Sequence, residues 1–209
     1  HHSYMVAFHP LGILDYAQGN PAQEVIDNTL AILDSLGTKQ WVGYSFSWLA
    51  NMRARTFNGE GAAEALRIFA SAFCLPNSFH VNGDQSGEGY TNATYRPFTL
   101  EGNFAFAAAV HEMLLQSHSN AIRIFPAVPE SWDELSFSNL RAQGAFVVSA
   151  DKKNNQVDHV EILSEKGGVL NIVNPFEFDT FRSNVAYELN NDIITIQTTR
   201  NQTIILEAK

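Results

Sequence analysis

Near residue 120 the apolar pattern of this chain changes its period, and that change constrains the fold more than any other feature. Before it, apolar residues recur at helical spacing; after it they alternate as in half-buried strands. Helices segregated ahead of strands rule out an alternating βαβ sheet and call for two layers or two domains. The boundary is placed at residue 120, with helices over 1–120 and an antiparallel β-domain over 121–209.

Four helices are predicted. Asn20 reads as the N-cap of the first and Pro21 as its opening residue. Val25, Leu30 and Leu33 form its apolar face and Gly37 its stop. A second covers 41–55, with Trp41, Tyr44, Ser45, Trp48, Met52 and Arg55 near one side and Asn58-Gly59 after it. A third covers 62–73. The fourth runs from about 99 to 118 and is rich in Ala and Phe, as suits a helix packed on several sides. Between the last two, residues 76–96 are polar and Gly-rich, and a loop that long in a compact domain is functional or disordered. Strands are predicted over 146–150, 157–163, 169–173, 193–196 and 203–206. Asn154-Asn155 and Lys166-Gly167-Gly168 read as hairpin turns, and Asn190-Asn191 and Asn201 as further turn residues. Four helices cannot close a whole α/α toroid, so the pattern reads as the tail of one with a β-sandwich appended. The opening His1-His2-Ser3, without Met, reads as the end of a tag or as a chain entering mid-protein.

Asp and Glu outnumber Lys and Arg by 22 to 13, a formal charge of −9. That balance argues against nucleic acid or an anionic membrane as partner and is compatible with a neutral sugar. No apolar run reaches the roughly 18 residues of a membrane span, and no signal peptide is visible. Cys74, in an apolar stretch, reads as a buried small hydrophobe. HExxH, CxxC, G-x-S-x-G and P-loop motifs are absent, and none of His1, His2, His9, His80, His111, His118 and His159 has zinc spacing. The run from Asp84 to Gly89 begins like a calcium loop but lacks its closing Glu. No metal or cofactor is expected.

Glu101 stands at or near the start of the fourth helix, where the helix dipole favours negative charge. A carboxylate held there is a good proton acceptor and a poor general acid, so its chemistry would be that of a base or an orienting anion. An ordinary first-turn Glu is the commoner reading of the position from the residues alone, although Phe98 stands where a capping box would need Ser or Thr. The aromatics Trp41, Tyr44, Trp48, Tyr90 and Tyr95 suit either stacking on sugar rings or core packing.

Several segments resemble glycoside hydrolase family 95, the inverting α-L-fucosidase and α-L-galactosidase family. His1 and Ser3 are similar to the end of its His-Arg-His-x-Ser segment. Gly43-Tyr44-Ser45-x-x-Trp48, continuing to Ala54-Arg55-x-x-Asn58-Gly59, resembles its Gly-Trp-Ser-x-x-Trp helix and the Ala-Arg-x-x-Asp-Gly that follows. Pro97-Phe98-Thr99-Leu100-Glu101-Gly102-Asn103-Phe104 resembles its Phe-Gln-Ile-Asp-Gly-Asn-Phe signature. The stretches from Glu112 to His118, from Ile124 to Trp132 and from Leu140 to Phe146 resemble the passage into its C-terminal domain. The likeness covers residues 1–170.

It implies the last helices of an (α/α)6 toroid followed by an antiparallel C-terminal β-sandwich-like domain. It implies an exo-acting enzyme that cleaves terminal α-L-fucosyl or related residues from a carbohydrate, in a secreted or periplasmic setting. The family uses a Glu general acid and an asparagine-assisted water, the asparagine being polarised by an Asp. The acid and the asparagines fall upstream, so the missing N-terminal part of the same enzyme is the chain's implied partner. The Asp position falls on Glu101 and a pocket His on His1; Trp48, Asn103 and Tyr95 are the further substrate-binding candidates. Glu for Asp moves the carboxylate outward by about one C–C bond, and Leu49 and Arg53 replace a usual Lys and Trp. These departures leave open another toroid glycosidase of different linkage or a non-catalytic carbohydrate-binding homologue.

Overall fold

A computed structural model of the chain describes residues 2–176 and 181–209. They divide into two compact units, His1–Met113 and Leu114–Lys209. The division falls where helix gives way to strand.

The first unit contains α1 (Ala22–Leu36), α2 (Gly43–Arg55), α3 (Gly59–Ala72) and α4 (Glu101–Leu114), preceded by short 3-10 turns at Ser3–Met5 and Tyr16–Gln18. Several helix ends differ from expectation: α2 begins at Gly43 rather than 41, α3 ends at Ala72 rather than 73 and α4 begins at Glu101 rather than 99, and three further ends differ for visible reasons. Pro21 rather than Asn20 is the N-cap of α1, and it offers no side-chain cap bond. The third helix starts at Gly59, because the Asn58 side chain accepts the Gly61 N–H and opens a helix rather than merely closing the preceding one. The fourth stops at Leu114 instead of running to 118, since β1 (Leu115–Gln116) leaves it to pair antiparallel with β2 (Arg123–Ile124).

α2 is central. Phe46, Trp48, Ala50, Met52 and Ala54 are buried on it, and so are Ser45, Ser47, Asn51 and Arg55. A helix enclosed on most sides has no single apolar stripe, so its burial extends beyond the side that spacing marked. Met5, Phe8, Ile26, Leu30, Leu33, Trp41, Phe69 and Phe73 pack round it. The loop after α3 is held by main-chain bonds, among them Val81 N–H to Phe73 O, Gly83 N–H to Tyr95 O and Asp84 N–H to Ala93 O.

The second unit holds two antiparallel sheets besides the β1–β2 pair. One has the order β3 (Leu135–Ala142), β4 (Phe146–Lys153), β5 (Gln156–Ser164), β10 (Gln202–Ala208), β7 (Phe181–Ser183). The other has the order β6 (Gly168–Val173), β9 (Ile193–Thr198), β8 (Glu188–Asn190). Val148, Ala150, Val160, Ile162 and Ile204 of the first share one core with Leu170, Ile172, Ile194 and Ile196 of the second. Asn154-Asn155 does make the β4–β5 hairpin. Lys166-Gly167-Gly168 does not make one: β6 pairs with β9, so this turn carries the chain from one sheet to the other. The buried Ser164 and Thr198 hydroxyls, 2.8 Å apart, pin that corner. Among the described residues, no helix is long and apolar enough to cross a membrane.

Candidate active site

The first turn of α4 is held by its neighbours. Asn103 accepts the His80 N–H at 3.0 Å and donates to Ser78 O at 2.9 Å, so both halves of its amide are spent on the incoming loop. Thr99 N–H donates to His80 O at 3.2 Å. Asn51 of α2 donates to Ala105 O at 2.9 Å, fastening α2 to α4 one turn further on. Glu101, the first residue of α4, is exposed.

Two groups register the Glu101 charge. Burial, and then that charge, push the half-buried Tyr44 phenol above its ordinary pKa. Burial holds the His80 imidazole below its ordinary pKa, while its bond to Thr99 O and the Glu101 charge pull weakly the other way. His80 is therefore the neutral form near pH 7, and Glu101, Tyr44 and His80 form one electrostatic group. Tyr44 leans on Trp48, the ring centroids 5.6 Å apart.

The residues expected to bind substrate occupy different settings. Trp48 is 7% exposed, inside the helical core, with its indole N–H donating to His9 O at 3.3 Å. Asn103 braces the loop as described. Tyr95 projects from the loop and is half exposed. His1 lies outside the described residues. On the loop leading into this region, Phe79 and Phe98 are also about half exposed and stack on each other at 5.0 Å. Asp84, the start of the calcium-like run, spends its carboxylate on its own loop: Oδ1 accepts the Ser86 N–H and hydroxyl, and Oδ2 the Tyr90 N–H. Burial works against its charge, but these donors outweigh burial and leave its pKa below the ordinary Asp value.

At the far end of α2, Arg55 braces the site from behind. Its Nη2 stands 2.8 Å and its Nε 3.2 Å from Glu112 Oε1 of α4, and Nη1 donates to Phe8 O at 2.9 Å and Pro10 O at 3.3 Å. His80 and the Arg55–Glu112 pair received no role from sequence. Their signals were Gly43 and Gly102 inside the first turns of two helices, where a Gly needs a packing reason, and an Arg inside an otherwise buried helix.

Comparison with known proteins gives two family matches. The glycosyl hydrolase family 95 catalytic domain matches residues 1–114, and the glycoside hydrolase family 95 C-terminal domain matches residues 116–206. A curated relative, Alpha-L-fucosidase 2 of Arabidopsis thaliana, is 36% identical over 110 residues, which are 51% of this chain and 13% of that protein. Among solved structures, a family 39 glycoside hydrolase from the gut symbiont Bacteroides cellulosilyticus WH2 aligns at 14% identity with a TM-score of 0.30, over 77% of this chain and 30% of the other. A likeness that slight carries no argument.

Proposed function

The chain belongs to glycoside hydrolase family 95, and from that premise we propose that it supplies one part of the active site of an inverting, exo-acting glycosidase. The proposed reaction releases terminal α-L-fucosyl or closely related residues from oligo- or polysaccharides. The observation that carries this reading is Glu101: an exposed carboxylate on the first turn of α4, inside the matched catalytic segment, acting electrostatically on Tyr44 and His80.

Inversion needs an acid on one side of the glycosidic bond and an activated water on the other. In this proposal Glu101 is the orienting anion of the water side. It polarises the asparagine that holds the water, and that asparagine and the general acid come from the rest of the catalytic domain. Tyr95 offers a ring to the sugar. Trp48 and Asn103 act from behind, Trp48 by supporting Tyr44 and Asn103 by holding the loop; His1 is proposed to complete the pocket.

The apolar surface of the helical unit supports a role within a larger domain. Val25, which spacing placed on the apolar face of α1, is 53% exposed and lies with Ile32 and Leu36, 60% and 75% exposed, beside the face that buries Ile26, Leu30 and Leu33; Phe104 on α4 is 68% exposed. Uncovered, such stripes would be association-prone, and the remainder of the toroid is the proposed cover.

One observation favours a second reading. Glu101 stands where the family has Asp, and misplacement of about 1 Å can cost about 100-fold in rate. A family member altered in sugar preference, or retaining sugar binding without hydrolysis, fits that departure. The test is hydrolysis of nitrophenyl α-L-fucoside and α-L-galactoside by the full-length protein and its Glu101→Gln variant. Turnover of either glycoside, abolished by the variant, supports the first reading; binding of the free sugars without turnover supports the second.

A further inference from the structure

His80 is fully buried, and its ring is wedged between the first turns of two helices. A Cβ added to Gly43, the first residue of α2, would lie 2.4 Å from His80 Nε2 and 2.8 Å from Cδ2. A Cβ added to Gly102, the second residue of α4, would lie 2.6 Å from Nδ1 and 2.8 Å from Cε1. Both helix backbones therefore touch opposite edges of one imidazole, and only glycine permits either contact. Phe69 packs beside the ring, the centroids 5.1 Å apart.

The polar atoms are used unequally. Nδ1 lies 3.1 Å from Thr99 O and 2.8 Å from Thr99 Oγ1. A carbonyl can only accept, so the tautomer that satisfies the Thr99 O contact has the proton on Nδ1 and leaves Nε2 with the lone pair, and we assign that tautomer. Among the described residues, Nε2 is buried without a hydrogen-bond partner. An orphaned nitrogen is costly, and an apolar side chain of similar size would fill the same space without it. Simple core filling does not account for histidine here; a donor at the Nδ1 position does.

That donor controls the ground on which Glu101 stands. Through its ring His80 holds Thr99 and Gly102, and through its main-chain N–H it holds Asn103, so the residues on both sides of Glu101 are tied to one buried side chain. Glu101 itself is exposed and takes its position from theirs.

We propose that His80 is a positioning residue for Glu101, its Nδ1–H locking Thr99 and the first turn of α4 against α2 so that the carboxylate stands where the reaction needs it. This rests on the reading of Glu101 as part of the hydrolytic site.

The experiment compares His80→Asn, His80→Gln and His80→Leu in the full-length protein. An Asn amide nitrogen falls where Nδ1 stands and keeps the donor to Thr99; a Gln amide reaches the Nε2 position instead, and Leu carries no donor. On the α-L-fucoside, kcat is expected to fall about 100-fold in the Gln and Leu variants with KM nearly unchanged, and to stay within about tenfold of wild type in the Asn variant. Equal losses of kcat in all three variants, or losses that follow only the folded fraction, overturn the proposal. Amide hydrogen exchange over residues 99–104 is the second measurement: protection retained by Asn and lost by Gln supports it, and equal protection in both overturns it. A wild type inactive on every glycoside counts against the hydrolase reading alone, and the Asn–Gln exchange contrast then still decides the His80 proposal.

Discussion

Arg55→Met in the intact protein is the perturbation whose size follows most directly from the structure. The Arg55 and Glu112 side chains are 6% and 16% exposed, so the pair is nearly dry. Removing one member of such a pair strands the other and costs about 3–5 kcal/mol, whereas replacing both by apolar groups is often close to neutral. Arg55 also donates to the carbonyls of Phe8 and Pro10, which no substitution at Glu112 restores. Each of those lost bonds costs about 1 kcal/mol, so the double variant Arg55→Met, Glu112→Leu is expected to remain about 1–2 kcal/mol below wild type. Hydrogen exchange read by mass spectrometry over residues 4–12 and 101–114 measures both. At about 1.4 kcal/mol per factor of ten, the single variant is expected to exchange about 100- to 3,000-fold faster, and the double variant about 5- to 30-fold faster. A double variant no better protected than Arg55→Met would refute the assignment of the cost to the loss of the guanidinium beside the Glu112 carboxylate.

Two further predictions concern the same unit. Asn103→Leu deletes the amide that bonds His80 N–H and Ser78 O, and it is expected to destabilise by about 1–3 kcal/mol, measured by urea denaturation of the intact protein. For pH, burial pushes His2 down to about 4 despite its bond to Ser45 O, and burial also lowers His80. Both are neutral in the fold while the unfolded chain binds protons below its ordinary histidine value of 6.5. The unfolded state therefore gains protons first as pH falls. Stability is fully present above 6.5 and is expected to decline from there toward about 4, with the melting temperature followed across that window; a melting temperature flat over it contradicts buried neutral histidines.

Much of the architecture was legible because local pattern and tertiary burial agree. The β4, β6, β9 and β10 strands alternate cleanly, β5 does so from Val160 onward, past the register shift near Asp158, and α1 and α3 each bury one face. β3 escaped because its register shifts between Phe137 and Leu140, where Asn139 takes φ 60° and breaks the alternation. β7 and β8 are three residues each, too short to carry a period. The turn at Gly167-Gly168 looked like a hairpin because glycine pairs permit one, but strand pairing is decided by partners distant in sequence. At the site, Glu101 was visible from its place at a helix start. His80 was not, since nothing local marks a histidine 21 residues before Glu101 as the spacer between two helix N-termini. Trp48, an aromatic at helical spacing, leans toward packing by pattern, and its burial agrees with that.

The central claim is that the Glu101 carboxylate takes part in hydrolysis of a terminal α-L-fucosyl or related bond. Steady-state turnover of nitrophenyl α-L-fucoside and α-L-galactoside by the full-length protein, wild type beside Glu101→Gln, tests it most directly. Because Glu101 is exposed at the head of α4, removing its charge should leave the fold intact. The account predicts a loss of at least about 100-fold in kcat, with unchanged thermal stability. Equal, substantial turnover by wild type and Glu101→Gln would contradict it.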